Sequence, residues 1–174
     1  DVLYKMDMNK GTKKELATGL NEDQYVASED GHLVAYEKED PSKSKSVTVM
    51  NLETDQEYEV TCKDGECIKP LGFMDGDFVY GVAKTEEVGT TLSGAQVIPM
   101  YKVEITSSKD KVIKTYEQSG IYMLSATFED NMITLDRAVK DGDTYTGTAQ
   151  DYITSSEEAK ESNIYVQTYK TDLK

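Results

Sequence analysis

Two cysteines, Cys62 and Cys67, and one histidine, His32, are the residues of this chain with the most obvious reactive chemistry. The segment Lys63-Asp64-Gly65-Glu66 separates the cysteines, and a Gly turn of that length lets two side chains reach disulfide geometry. The expectation is a Cys62–Cys67 disulfide, with a pair of free thiols as the alternative. A bridge implies an oxidising, extracytoplasmic setting. A metal centre needs more ligands than these two sulfurs, and His32 lies in a different turn. Asp75-Gly76-Asp77 and Asp141-Gly142-Asp143 hint at calcium, but they lack the further spaced ligands of a calcium loop and read first as turns. No nucleophile elbow, phosphate loop or HExxH zinc motif occurs. The carboxylates are many and scattered, with no pair that stands out as acid and base. The chain is therefore expected to have no catalytic, metal or cofactor-binding residues and not to be an enzyme.

Composition narrows the partners. The net charge is −14 over 174 residues. That disfavours nucleic acid, whose phosphates need clustered Lys and Arg, and it disfavours anionic membrane surfaces too. Such a charge reads first as solubility, with attraction of cationic partners or metal ions as the alternative. No apolar run approaches the ~20 residues of a membrane span. The 12 tyrosines join a large apolar body to a polar tip, which suits packing near a wet rim.

The elements that must position these residues repeat. Asp30-Gly31-His32-Leu33-Val34-Ala35-Tyr36, Asp75-Gly76-Asp77-Phe78-Val79-Tyr80-Gly81 and Glu129-Asp130-Asn131-Met132-Ile133-Thr134-Leu135 each set turn formers before an apolar, β-prone run, the pattern of a tight hairpin. His32 occupies the place of Asp77 and Asn131, so it reads as a turn residue. A second landmark aligns Leu3–Met8 with Val47–Leu52, Met100–Ile105 and, more loosely, Ile164–Tyr169. Its alternating columns are Tyr4, Thr48, Tyr101, Tyr165; then Met6, Met50, Val103, Gln167; then Met8, Leu52, Ile105, Tyr169. From Leu3 to Asp30, Val47 to Asp75 and Met100 to Glu129 the steps are 27, 28 and 29 residues. From Asp30 to Val47, Asp75 to Met100 and Glu129 to Ile164 they are 17, 25 and 35. One part keeps its length while one connection grows, as in a repeating supersecondary unit with insertions on a single loop.

The stretches LYKMDMNKGTKKEL and QYVASEDGHLVAYE resemble the TolB-like (WD-type) β-propeller repeat. That family has an Ile/Leu-Tyr-x-Met-Asp strand, a Gly turn and a Ser-Pro-Asp-Gly hairpin before an apolar strand. Glu29 stands where the family has Pro, and the chain has no Trp. Phe73 and Phe128 alone supply the usual aromatic before the hairpin. The resemblance implies a fold and no functional residue. The expected fold is all-β, a partial β-propeller of four-stranded antiparallel blades with about three blades present. It comprises a half blade over 1–19, blades over 20–69 and 70–119, and an incomplete blade over 120–174, in which Ile164 opens the third strand. The chain starts directly before a strand and is expected to be part of a longer polypeptide.

In such a blade the A–B and C–D turns lie at one face, the B–C and D–A connections at the other. The long connections, Thr85–Pro99 and Asp141–Ser162, and the cysteine segment all fall on the second face. That face is the expected binding surface, with Val97, Tyr145 and Tyr152 as its exposed candidates and a protein or carbohydrate as its partner. The reading that follows is a non-catalytic binding or scaffold module of a secreted or cell-surface protein. Alternatives are a propeller accessory to an enzyme whose catalytic domain lies elsewhere, and a structural protein that self-associates through open blade edges.

Overall fold

A computed structural model describes residues 1–155 and, for the backbone, 164–167. The strands form an N-terminal hairpin and three four-stranded antiparallel meanders. The hairpin is β1 (Val2–Asp7) and β2 (Thr12–Thr18). The first meander is β3 (Tyr25–Ala27), β4 (Leu33–Tyr36), β5 (Ser46–Asn51) and β6 (Glu57–Thr61), paired in chain order. The second begins with β7 (Glu66–Met74) and β8 (Asp77–Lys84). After a small hairpin of β9 (Gly89–Thr90) and β10 (Gln96–Val97), it is completed by β11 (Met100–Thr106) and β12 (Val112–Glu117). The third is β13 (Tyr122–Glu129), β14 (Met132–Asp141), β15 (Thr144–Ser155) and β16 (Ile164–Gln167). A Met100–Met123 bridge joins the second and third meanders along one edge.

Period-two alternation stacks these units face to face. On β8, Phe78, Tyr80 and Val82 enter a core shared with Ala35, Val47, Val49 and Val60 of the first meander. Val79 and Ala83 point the other way, into a core with Ile133, Leu135 and Ile153 of the third. Both faces of β8 are covered, so it reads as a nearly continuous apolar run. Leu3 and Ala17 pack against Leu20 and Tyr36, setting the N-terminal hairpin on the first meander. Its outer row, Val2, Tyr4, Met6 and Met8, faces solvent, with Met8 84% exposed.

Expectation and structure agree on an all-β, antiparallel architecture. The expected propeller is a partial one, and no closed ring forms among the described residues. Expectation and structure part on the third unit. Asp141 pairs with Thr144 across the two-residue turn Gly142-Asp143, and β15 then runs 12 residues. The expected long connection from Asp141 is thus a strand as far as Ser155; residues 156–163 lie outside those described. Ile164 opens the fourth strand of this unit, not the third. The second column of the sequence alignment slips as well. A bulge between Met100 and Lys102 turns Val103 into the core that faces the third meander, whereas its aligned Met6 is on the outer face of β1.

The expected disulfide is absent: Cys62 and Cys67 are free thiols. Cys67 belongs to β7 and points into the core between the second and third meanders. Cys62 packs against the core on the other side of that strand. The β7 backbone thus stands between the two thiols, and the Cys62 Sγ contacts the Glu66 carbonyl at 3.4 Å. Burial raises both thiols, Cys67 to about 11, so neither is poised as a nucleophile.

Candidate binding cleft

The repeated hairpins meet at one end of the stack. The β7–β8 turn has Asp75 at φ 52° and Gly76 at φ 81°, the two successive left-handed residues of a two-residue hairpin. In the β13–β14 turn, Asp130-Asn131, Asn131 takes φ 61°. In the first hairpin the Asp30 carboxylate accepts the Ser28 hydroxyl (2.6 Å) and the His32 N–H (2.9 Å), which hold its carboxyl below the usual range. His32 sits on this exposed turn with its Nδ1 3.1 Å from Glu53.

Between these turns lies a cleft of about 890 Å³. Val26 and Ala27 come from the end of β3, Leu71 to Met74 from β7, and Phe128 and Met132 from the third hairpin. Phe128 lies directly on Gly72: a Cβ at that glycine would stand 2.6 Å from the ring. The rim carries four carboxylates, Glu29, Asp75, Glu129 and Asp130, and neither Lys nor Arg lines the cleft. Asp75 accepts the Ser155 hydroxyl at 2.5 Å, and the Ser155 N–H donates to the Asn131 carbonyl at 2.9 Å. These contacts tie the second hairpin to the end of β15. Beside Asp75, burial first and that charge second raise Asp77 to about 6. A second cleft of about 460 Å³ opens between the first and second meanders, lined by Leu33, Val49, Tyr58, Gly76 and Asp110 among others. Phe73 lines both.

Of the three residues singled out for the opposite face, Tyr145 and Val97 meet at Gly89 and Tyr152 lies apart. Tyr145 is 3% exposed. Its hydroxyl donates to the Glu87 carbonyl (2.5 Å), its ring meets Tyr122 edge-on, and it packs on Gly89. Val97 pairs with Gly89 in the same tied-down connection and is half-buried. Tyr152 lies seven residues further along β15, paired with Thr134 and Gln167. The Thr85–Pro99 connection is thus fastened to the start of β15, with Tyr145 as its peg.

Other ionisable groups are structural. Tyr116 donates to Asp151 (2.6 Å), which Arg137 approaches at 3.7 Å, linking β12, β14 and β15. Tyr80 donates to Glu104 (3.0 Å), which Lys102 pairs at 2.8 Å. Glu37 is 2% exposed, and neither carboxylate oxygen has a partner. Burial raises it to about 8. Among the described residues, no three His, Cys, Asp or Glu side chains are placed to share a metal ion. The sequence marks Phe73 and Phe128 as the aromatics before their hairpins, but it does not assign them to a site. Sequence reasoning missed Glu37 and the Arg137–Asp151 pair, whose partners are distant in the chain.

No protein-family model matches this chain, and no curated protein matches it. Among solved structures, the fold is similar to a crystal structure from Clostridium novyi NT described as a "putative conserved lipoprotein". The TM-score is 0.55 at 13% identity, and the match covers 89% of this chain and 96% of that one. At this identity the likeness is one of fold.

Proposed function

We propose that this chain is a non-catalytic binding module of an extracytoplasmic protein, and that it takes a protein or carbohydrate ligand in the hairpin-end cleft. The observation that carries the reading is the convergence of three hairpins, from three separate meanders, on one open cleft with aromatic walls and a rim of carboxylates. The lipoprotein description of the structural neighbour supports a place outside the cytoplasm, on the cell surface or secreted. The stacked four-stranded units support reading the meanders as propeller-type blades, as the TolB-like resemblance implies. A second reading, self-association through the free edge of β1, is favoured by the exposed row Tyr4, Met6 and Met8.

The site is tested by following backbone amides in NMR spectra while adding an arginine amide, a phenylalanine amide and a trisaccharide in turn. At least one probe should shift Gly72, Gly76, Asn131 and Met132. Shifts confined to residues 85–99, or none at millimolar probe, would refute this placement.

A further inference from the structure

Resting on that reading of the cleft, we infer that the two hairpin-end clefts are adjoining subsites for one extended peptide segment of a partner protein. A basic side chain enters the larger cleft and an apolar side chain the smaller, with the Phe73 ring between them.

Charge fixes the first half. The larger cleft presents four carboxylates and no cation. Glu29, Glu129 and Asp130 form no ion pair with any described residue. A guanidinium or ammonium group at the rim would match them, while its methylene stem lies along Leu71, Met74 and Phe128. A neutral sugar would stack on the rings and leave that charge unmatched. A divalent cation would need convergent ligands, and the described residues offer no such group.

The smaller cleft differs in character. Leu33, Val49, Tyr58 and Phe73 give it apolar walls, and the one cation lining it, Lys109, stands among Glu57 and Asp110. It offers little net charge and suits an aliphatic or aromatic side chain. Phe73 lines both clefts, so they adjoin across one ring. Alternate side chains of an extended chain on one face stand roughly 6.5–7 Å apart, about the width of one ring with its contacts. A basic residue and an apolar residue two positions on would therefore fill neighbouring subsites. The net charge of −14 adds long-range attraction for such a segment.

The test uses fluorescein-labelled Gly-Arg-Gly-Phe-Gly, read by fluorescence anisotropy, beside forms in which Arg is Gln or Phe is Ala. Loss of Arg should weaken binding about tenfold at low salt, and loss of Phe several-fold. Glu129→Gln with Asp130→Asn, both on exposed turn positions, should erase the Arg preference and leave the Phe preference. Gln56→Trp, at an exposed turn beside the smaller cleft, should erase the Phe preference and leave the Arg preference. Preferences that ignore these variants, or that vanish together in either one, would overturn the two-subsite arrangement. If the trisaccharide shifts Gly72 and Asn131 while the peptide does not bind at millimolar concentration, the peptide class is wrong and the cleft reading survives. If neither probe touches the cleft, both fail.

Discussion

At the hairpin end, Glu29, Glu129 and Asp130 stand exposed around a cleft, hydrated and without cations beside them. At the opposite end, where β4 leads into its connection to β5, Glu37 is enclosed with neither oxygen bonded. Its backbone is held from both directions: its N–H donates to the Gln24 carbonyl, and the Gln24 amide donates to the Glu37 and Glu39 carbonyls. Ser44, beside it, spends its hydroxyl proton on the Ser46 carbonyl. One end thus leaves its acids exposed, while the other encloses an acid that burial raises to about 8. Negative charge at the first stands exposed, whereas at the second it is a pH liability.

The sharpest way to break this contrast is Glu37→Met. In the folded chain Glu37 is raised to about 8 from 4.5. The protonated form therefore favours folding, with full benefit below pH 4.5 and progressive loss as pH rises toward 8. The nearby Ser44 hydroxyl and, less strongly, Lys69 oppose this, while the Asp23 and Asp40 charges add to it. At ~1.4 kcal/mol per pH unit, the loss by pH 7 is roughly 3 kcal/mol. Urea unfolding at pH 5 and pH 8 should show wild type losing stability over that interval. Glu37→Met should lose much less over that interval, keeping the smaller slope that Asp77 contributes as pH rises through 6, and should be more stable at pH 8. An unchanged slope would mean that another group carries it.

Gly72→Ala comes next and tests the hairpin end. The new methyl would meet the Phe128 ring well inside contact distance, so the ring must move or the strands must part. The expected loss is about 1–3 kcal/mol by chemical denaturation. Ligand affinity should fall with it, because Phe128 is a wall of the cleft. Stability lost with unchanged affinity would remove Phe128 from the site.

Asp75→Asn should act on one neighbour. Without the Asp75 charge, Asp77 should titrate below its present value of about 6, with burial as the remaining cause of elevation. The raised Asp77 contributes stability that is present below pH 3.8 and lost as pH rises through 6, so the variant should narrow that window. Carboxyl-carbon NMR titration reads the shift directly. The smallest effect belongs to Asn131→Gly. Asn131 already holds φ 61°, where Gly is at ease, and a change within about 0.5 kcal/mol is expected.

The hairpins were legible because their chemistry is local. Asp-Gly before an apolar run demands left-handed residues and a strand, and the structure has both at Asp75-Gly76. The same signal stands at Asp141-Gly142, but the stretch after it hides its strand. Along β15, Thr146 to Gln150 are exposed, and burial returns only at Asp151 and Ile153. A strand with no apolar alternation resembles a polar loop. The bulge at Met100 was equally invisible, since an inserted residue changes a side chain's face without changing composition. The cleft lay at the face judged too economical to matter: short turns from three meanders enclose a volume that no one of them shows. Glu37 reads in sequence as one acid among 33 Asp and Glu, and only the fold shows that it is buried.

The N-terminal hairpin has a consequence for how the molecule comes apart. Among the described residues its strands pair with each other alone, and the hairpin rests on the first meander through Leu3, Ala17 and the Lys5–Asp55 pair at 2.6 Å. The β8 ladder, by contrast, is sealed on both faces. Amide hydrogens of Lys5 and Met6 should trade for deuterium long before those of Val79 and Val82, because opening the hairpin exposes little core. Gentle heating should peel the protein from this end first, like a page lifting from a bound stack, while the two inner cores hold until the whole molecule melts.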